Sequence, residues 1–389
     1  MTATIVKVLR KTRIMNMVIP ITFFTSGLFI NLAQLLLTLF IKPINKRLCR
    51  KIMYYLCYSL YSQLVFVADW WSSSTMKVYM DAEDEKKYAG NEHVLLVMNH
   101  SYEIDWLAGW MFTEKVGVLG NCKAYAKKVI SYVPVIGWAW KFAEFVFLER
   151  SFDKDKEIIS RQIKEVYDYP DPTWLLLSAE GTRFTPKKHE ASVKFAINRG
   201  MPVLKHHLIP RTKGFTASLE SLRNGCPAIY DINLVFKKDA KVSPTMSSLL
   251  NGQSVEGYMF VRRLPVKDIP VGEEQSAEWL QNLYREKDKI LDSFHTTGSF
   301  FKTSGFKETE FKYYKRRLST LLNFVGWAIV SMYLVIHYIV TALLLKNWIG
   351  LSVVFGILLI FYLLMEKAIN MSKMSKASNY GAEAKTNSN

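Results

Sequence analysis

Three apolar stretches of membrane-spanning length set the strongest limit on how this chain can fold. Residues 18–41 contain no charged side chain, and residues 321–345 and 348–365 are separated only by Lys346 and Asn347. A helix needs about 20 apolar residues to cross the roughly 30 Å hydrocarbon core of a bilayer. The pattern therefore predicts N-terminal membrane helices, a C-terminal transmembrane helical hairpin and a water-facing region between them.

Basic residues flank the predicted hairpin unevenly. Lys and Arg close to the ends of a span favour the cytosolic side of a membrane. Four of them precede the hairpin, two follow it and one lies in its turn: Lys312, Lys315, Arg316, Arg317; Lys367, Lys373; Lys346. Both ends of the hairpin, and the region that precedes it, are therefore expected on the cytosolic side.

The N-terminal apolar stretch is ambiguous because basic residues lie on both of its sides, before residue 14 and after residue 41. Pro20 and the pair Ser26-Gly27 favour a break that turns the segment back as a re-entrant pair. A single span is the alternative. The aromatic segment 52–73, with its scattered polar residues, predicts an interfacial helix at the headgroup level, and an ordinary buried core helix is its alternative.

The charge balance is strongly basic, with 51 Lys and Arg against 34 Asp and Glu and a formal net charge of +17. Such a balance implies anionic partners, either nucleic acid or a phosphate-rich membrane surface. The chain shows no zinc-finger, homeodomain or RNP pattern. Its four cysteines show no CxxC spacing, which argues against a disulfide scaffold or a zinc site. We expect lipid headgroups and a phosphorylated substrate as partners, and neither nucleic acid nor metal.

Short apolar runs alternate with amphipathic stretches between the membrane segments, which is typical of an α/β fold around a mixed sheet. Predicted strands cover residues 94–98, 174–177, 203–209, 229–236 and 258–262; predicted helices cover 153–167, 190–199 and 277–294. His206 and His207 would point to opposite faces of the third strand, so that this pair does not predict a metal site.

Two motifs follow predicted strands and carry candidate chemistry. His100 and Asp105 come after the strand 94–98, and Glu180, Gly181, Thr182 and Arg183 come after the strand 174–177. An imidazole can take a proton from a hydroxyl when a carboxylate orients it. Five residues rotate by roughly 140° on a regular helix, so we expect His100 in a loop and Asp105 in the first turn of the following helix. Both should face the loop 180–183.

The two motifs together resemble the hallmark of the glycerolipid acyltransferase family, His-x4-Asp followed by Glu-Gly-Thr-Arg. The runs Phe147-Leu148-Glu149-Arg150 and Leu208-Ile209-Pro210 resemble two further blocks of that family. The likeness covers roughly residues 60–300. The longer runs around His100 and Pro210 are similar to the longer, multi-pass eukaryotic 1-acylglycerol-3-phosphate acyltransferases.

The resemblance implies an acyl-CoA-dependent enzyme that acylates the sn-2 hydroxyl of lysophosphatidic acid. His100 would be the base, Asp105 would orient it, and no covalent acyl-enzyme would form. The residues implied in acceptor binding are Arg150, Glu180, Gly181, Thr182, Arg183 and Pro210. A guanidinium pairs well with phosphate, which agrees with this role for Arg183. Acyl-CoA would be a co-substrate, with no cofactor, and the family suggests an endoplasmic reticulum membrane with the catalytic domain facing the cytosol.

These observations predict four regions. Residues 1–80 would form the membrane anchor and interfacial helices, 81–305 the catalytic domain, 306–370 the transmembrane hairpin and 371–389 a disordered polar tail. Other readings stay open. An acceptor with another headgroup, such as lysophosphatidylinositol or a lysocardiolipin-type lipid, is one alternative. A transporter and a non-catalytic membrane-binding scaffold are candidates of other classes; few polar residues in the spans disfavour the first, and the intact motifs disfavour the second.

Overall fold

The structure, a computed structural model, describes residues 15–149 and 152–373. Side chains are described for these residues except 152–157, 361, 362 and 364–373. Arg150 and the tail 374–389, both subjects of predictions above, lie outside the described residues. Among the described residues, two helices are long and apolar enough to cross a membrane, Met15–Ile41 and Leu318–Leu344.

The described part of the chain forms an α/β sandwich with helices on both faces of one mixed sheet. The strands are β1 Thr75–Tyr79, β2 Val94–Met98, β3 Cys122–Lys127, β4 Val146–Leu148, β5 Trp174–Leu177, β6 Ala228–Phe236, β7 Glu256–Pro265 and β8 Phe311–Tyr313. Their order is β4-β3-β5-β2-β6-β7-β1-β8. The pairs β6–β7 and β1–β8 are antiparallel, and the other neighbours are parallel. The predicted fold class is confirmed.

Helices precede, separate and follow the strands. They are α1 Met15–Leu36, α2 Lys46–Phe66, α3 Ala82–Tyr88, α4 Asp105–Lys115, α5 Ile136–Phe142, α6 Phe152–Tyr167, α7 Pro186–Asn198, α8 Thr212–Arg223, α9 Met246–Leu250, α10 Glu273–Thr297, α11 Leu318–Leu344 and α12 Trp348–Lys373. Short π-helical segments, Leu37–Ile41 and Val67–Trp71, extend α1 and α2.

The central strand β2 divides the hydrophobic core because successive side chains point to opposite faces of a sheet. Leu96 and Met98 pack in one cluster with Leu107 of α4 and with the N-terminal helices. Leu95 and Val97 pack in a second cluster with residues of α6, α8 and α10. All five strand residues are buried, which explains why β2 appears in the sequence as a continuous apolar run.

The N-terminal stretch forms one continuous helix, so the prediction of a re-entrant break is wrong. α1 stays helical through Pro20, Ser26 and Gly27. The two small residues allow close packing: Ser26 Oγ donates to Gln63 Oε1 at 3.1 Å, and a Cβ at Gly27 would lie 2.3 Å from Val135 Cγ1. In the sequence, Ser26 and Gly27 suggest a break in the helix because the residues that they pack against lie far away along the chain.

The segment 52–73 is mostly a buried core helix, and the interfacial prediction is wrong for it. Leu60, Tyr61 and Val65 have no exposed surface. The polar residues that interrupt the apolar pattern pair with other helices: Gln63 with Ser26 of α1, Asp69 with Lys115 of α4, and Ser59 with Asn323 of α11. α2 therefore joins α4, which packs on the sheet, to both membrane-length helices.

The predicted strand 203–209 is wrong: no strand is assigned there in the described chain. Side chains take its backbone donors instead of a neighbouring strand. Asp288 accepts from Lys205 N and His206 N at 2.8 Å each, and Glu180 accepts from Leu208 N at 3.1 Å. His206 and His207 do not point to opposite faces of a strand, since both bond to aspartates of α10, at 3.0 and 3.1 Å.

A buried ion pair between α10 and β6 contacts the backbone at the end of β2. Lys287 Nζ donates to Asp231 Oδ1 at 2.5 Å, to Ile232 O at 2.7 Å and to Val97 O at 3.3 Å. Burial opposes the ionisation of Asp231, but Lys287 and Arg262 outweigh it and lower the pKa of this carboxyl. The pair therefore holds the backbone in place where β2 ends and the loop with His100 begins.

We expect Lys287→Met to lower the free energy of unfolding by about 3–5 kcal/mol, because it leaves the Asp231 carboxylate buried with less compensation. Lys289→Met is the matched control, since Lys289 is exposed on the same helix. Denaturation of both variants in detergent measures the difference. A loss below about 1 kcal/mol for Lys287→Met would show that Arg262 alone satisfies Asp231.

Candidate active site

His100 lies in the loop between β2 and α4, and Asp105 is the first residue of α4. The prediction that His100 lies in a loop and Asp105 in the first turn of the following helix is therefore confirmed. Asn99 fastens the start of this loop to β6, because its side chain accepts from Leu234 N at 2.8 Å and donates to Leu234 O at 2.9 Å. The side-chain amide thus extends the pairing between β2 and β6 by one residue. His100 follows directly after this last pair, outside the sheet.

The imidazole of His100 and the carboxylate of Asp105 form a hydrogen-bonded pair. Nδ1 lies 3.0 Å from Asp105 Oδ2, which also accepts from Tyr102 N at 2.9 Å. The Asp105 side chain is only 2% exposed, whereas that of His100 is 33% exposed. Burial raises the pKa of Asp105, and the bond to His100 opposes this rise. Since Nδ1 faces Asp105, Nε2 is the ring nitrogen placed to exchange a proton with a substrate.

The loop 178–185 packs directly against the His100 loop. Phe184 N donates to His100 O at 2.7 Å. Glu180 Oε1 accepts from His100 N at 3.2 Å, and its Oε2 accepts from Leu208 N at 3.1 Å. One carboxylate thus connects three loops that are separated by 80 and 28 residues along the chain.

Glu180 is correspondingly buried, with 2% of its surface exposed. Burial raises the pKa of Glu180 to about 7, and the two backbone donors restrain this rise. Each of its oxygens accepts one backbone N–H group, and direct binding of the acceptor by Glu180 stays a prediction. Its position is that of a residue that holds His100 and Leu208 in place.

We expect Glu180→Gln to lower kcat by up to about 100-fold while KM changes little, because the amide has one acceptor oxygen for two N–H donors and His100 would shift. The unfolding free energy should fall by about 1–3 kcal/mol. Activity and denaturation assays measure both effects, with the exposed Glu190→Gln on α7 as control. An unchanged kcat would contradict the role of Glu180 in positioning His100.

The pH dependence of that stability difference has a definite sign. The raised pKa means that the contribution of Glu180 is complete below its ordinary value of 4.5 and is lost as the pH rises through about 7. A glutamine side chain at the same position does not titrate. The gap in unfolding free energy between wild type and Glu180→Gln should therefore be larger at about pH 5 than at about pH 8. A gap that does not fall between these pH values would show that the pKa of Glu180 is not raised.

Cationic side chains gather on the outer side of the loop 180–183. Lys188 Nζ donates to Thr182 Oγ1 at 2.6 Å and to Arg183 O at 3.2 Å. Gly181 has a φ of +71°, and a Cβ there would lie 2.8 Å from Arg211 Cδ. Glycine is therefore required both for the turn and for the approach of Arg211. Thr182 is buried and Arg183 is partly exposed.

Lys188 and Arg211 are residues that the sequence prediction missed. Lys188 lies in the first turn of α7, and Arg211 precedes the first residue of α8. Arg211 N also donates to Ala179 O at 2.8 Å, and burial lowers the pKa of its guanidinium. Pro210, which was predicted to bind substrate, is itself buried and sets the chain direction that delivers Arg211. The run Ile209-Pro210-Arg211 was the available signal for this cation.

Two family models match the chain. Residues 80–229 match the family described as Acyltransferase, and residues 248–327 match Acyltransferase C-terminus. Among curated relatives, the 1-acyl-sn-glycerol-3-phosphate acyltransferase delta of Rattus norvegicus is 37% identical and covers 97% of each chain. The gamma enzyme of Homo sapiens is 37% identical and covers 95% of each. The crystal structure of an acyltransferase for 1-acyl-sn-glycerophosphate from Thermotoga maritima aligns with a TM-score of 0.44 at 13% identity, over 73% of this chain and 98% of that one.

Proposed function

Because this chain belongs to the 1-acyl-sn-glycerol-3-phosphate acyltransferase family, we propose that it transfers the acyl chain of acyl-CoA to the sn-2 hydroxyl of lysophosphatidic acid, giving phosphatidic acid and CoA. The observation that carries this proposal is the joining of two loops: the loop with the His100–Asp105 pair is bonded through its backbone to the loop with Arg183. A base and a phosphate site then lie side by side.

His100 is the proposed general base. Its Nε2 accepts the proton of the acceptor hydroxyl while the hydroxyl oxygen attacks the thioester carbonyl carbon. Asp105 keeps the other proton on Nδ1 and stabilises the imidazolium that forms. Collapse of the tetrahedral intermediate expels CoA thiolate, which takes the proton back from His100. The substrate supplies the nucleophile, so the reaction requires no covalent acyl-enzyme.

The cations around the loop 180–183 are proposed to bind the acceptor phosphate. Arg183 offers a charge-assisted, bidentate contact, and Lys188 and Arg211 add positive charge on either side. α7 begins immediately after this loop, with Thr185 as its N-cap. The N-terminus of a helix favours an anion at the same place. The role of Arg150 as a further phosphate ligand stays a prediction.

We expect Arg183→Ala to raise KM for lysophosphatidic acid by about 10- to 150-fold, the range that loss of a charged hydrogen bond of about 1.5–3 kcal/mol gives. kcat should change less. Arg199→Ala at the end of α7 is the control, because Arg199 is exposed beyond the loop. Steady-state kinetics with lysophosphatidic acid and with an acceptor that lacks phosphate measure the effect. An equal loss for both acceptors would contradict a phosphate contact.

The enzyme is proposed to work at an endoplasmic reticulum membrane with its catalytic domain on the cytosolic side. The two helices of spanning length associate the chain with a membrane. The basic residues that precede α11 support a cytosolic position for the catalytic region, because such residues stay on that side. Protease protection of an epitope-tagged chain in sealed microsomes tests this orientation; protection of the catalytic region from added protease would refute it.

A further inference from the structure

A cavity lies near the C-terminal end of α4, away from the candidate active site. Its volume is about 320 Å³, within the range of small-molecule sites. Met76 and Val78 of β1 form one wall, Met111 and Phe112 of α4 form the next, and Tyr314 closes it from the segment before α11. These walls are apolar, but Asp69, Ser74, Thr75 and Lys115 also line the cavity, and Arg316 lies among its lining residues.

This cavity is separate from the His100 site. Met111 comes six residues after Asp105, which corresponds to about 9 Å along the axis of α4. A neighbouring pocket of about 10 Å³, beside Ile104 and Leu107, shares Met76 and Met111 with the cavity. Among the described residues, none of those that line the cavity belongs to the loops that carry His100 and Glu180.

The boundary of the cavity lies at the level where a membrane surface would be. α11 begins at Leu318, only two residues after Arg316, and Leu318 and Leu322 are 63% and 66% exposed. Trp70 Nε1 donates to Thr320 Oγ1 at 3.0 Å, and the Arg316 guanidinium lies 5.9 Å from the centre of the Trp70 ring. Tryptophan next to a basic residue is typical of the headgroup region.

The charges around the boundary are unevenly matched. Lys115 is buried and paired with Asp69 and with Glu114 Oε2, the latter at 3.1 Å. Arg317 also approaches Glu114, with Nε 3.5 Å from Oε1. Lys315, Arg316 and Arg317 are all exposed. Positive charge therefore faces the solvent at the opening, while the charges deeper in the structure are compensated.

We propose that this cavity holds one acyl chain of an anionic membrane phospholipid, whose phosphate contacts Arg316. The apolar walls fit a hydrocarbon chain, and the exposed cations fit a negative headgroup at the level of the membrane surface. The lipid is a bilayer component and not the reacting substrate. Tyr313 and Tyr314 border the cavity, so its occupation favours the docking of the segment before α11 onto β1.

Photo-crosslinking of the full chain in nanodiscs tests the proposal. The discs contain neutral phosphatidylcholine with a trace of phosphatidylglycerol that carries a diazirine near the end of one acyl chain. We expect labelled peptides that include residues 76–78 and 111–115, and a weaker signal when the probe is phosphatidylcholine. Arg316→Gln should reduce this labelling about fivefold, which corresponds to about 1 kcal/mol for one basic residue near an anionic lipid.

Two further variants keep the test decisive. Lys302→Gln, which removes an exposed lysine of the loop after α10, should leave the labelling unchanged. Met111→Trp fills the cavity and should abolish labelling of residues 76–78. Labels confined to α11 and α12, or equal labelling by both headgroups and by Arg316→Gln, would overturn the proposal. So would displacement of the probe by lysophosphatidic acid or acyl-CoA, because the cavity would then hold a reacting chain.

The binding test is independent of acyl transfer. It requires α11 to lie in the bilayer, but it requires no turnover, and His100→Ala should be labelled as well as the wild type. Loss of enzymatic activity with retained labelling would therefore count against the proposed reaction and not against this lipid site.

Discussion

Replacing His100 with alanine is expected to lower kcat for acyl transfer by about 10²- to 10⁴-fold, the range that a positioned general base contributes. The variant loses the only imidazole nitrogen that the described structure places beside both Asp105 and the loop 180–183. Binding of lysophosphatidic acid should change little, because the proposed phosphate contacts remain. The folded state should also persist, since the His100 side chain is one-third exposed.

Rates of phosphatidic acid formation by purified wild type and variant measure this effect. His295→Ala is the control, because this imidazole lies on α10, where it packs against His206 at 4.7 Å between ring centres. We expect its activity to remain close to that of the wild type. A kcat for His100→Ala within about tenfold of the wild type would rule out His100 as the base.

Asp105→Asn should be nearly as damaging although it changes only one atom of the side chain. Asp105 Oδ2 makes both bonds, so an amide nitrogen in its place would donate to Nδ1 of His100 and would leave Tyr102 N without this acceptor. The imidazole proton would then lie on Nε2, which cannot accept a proton from the substrate. The same replacement in the imidazole–carboxylate pair of a serine protease lowers kcat by about 10⁴-fold, and we expect about 10³- to 10⁴-fold here.

The chain offers a matched control for this variant. Asp292 forms a second aspartate–histidine pair, with its Oδ1 3.0 Å from His206 Nε2. Asp292→Asn makes the same chemical change away from the proposed base and should leave kcat close to that of the wild type. Equal losses in the two variants would show that Asp105 acts through general stability and not through the tautomer of His100.

The parts of the fold that the sequence predicts are those with local causes. β2 and β5 have the predicted bounds because each is a short, buried apolar run with polar residues on both sides. The five-residue spacing of His100 and Asp105 predicts a loop followed by a helix because a single helix would separate them. Four strands were missed: β4 and β8 have only three residues each, and β1 and β3 contain lysines in place of a continuous apolar run.

The remaining errors come from contacts between distant parts of the chain. Gln63 and Asp69 look like interfacial residues until their partners, Ser26 and Lys115, are known. Residues 203–209 have the composition of a strand, but Asp288 and Glu180 take their backbone donors. Glu180 itself looks like a ligand-binding residue because it belongs to a binding motif. Only the fold shows that its two oxygens also bond to His100 N and Leu208 N.

The most direct test of the proposed reaction follows CoA release and lipid acylation together. Purified full-length protein in nanodiscs is given labelled acyl-CoA with and without lysophosphatidic acid, and His100→Ala is treated in the same way. We predict that the wild type releases CoA only when lysophosphatidic acid is present, in an amount equal to the phosphatidic acid formed, and that His100→Ala does neither at a comparable rate. Absence of labelled phosphatidic acid with the wild type, or equal formation by His100→Ala, would contradict the account.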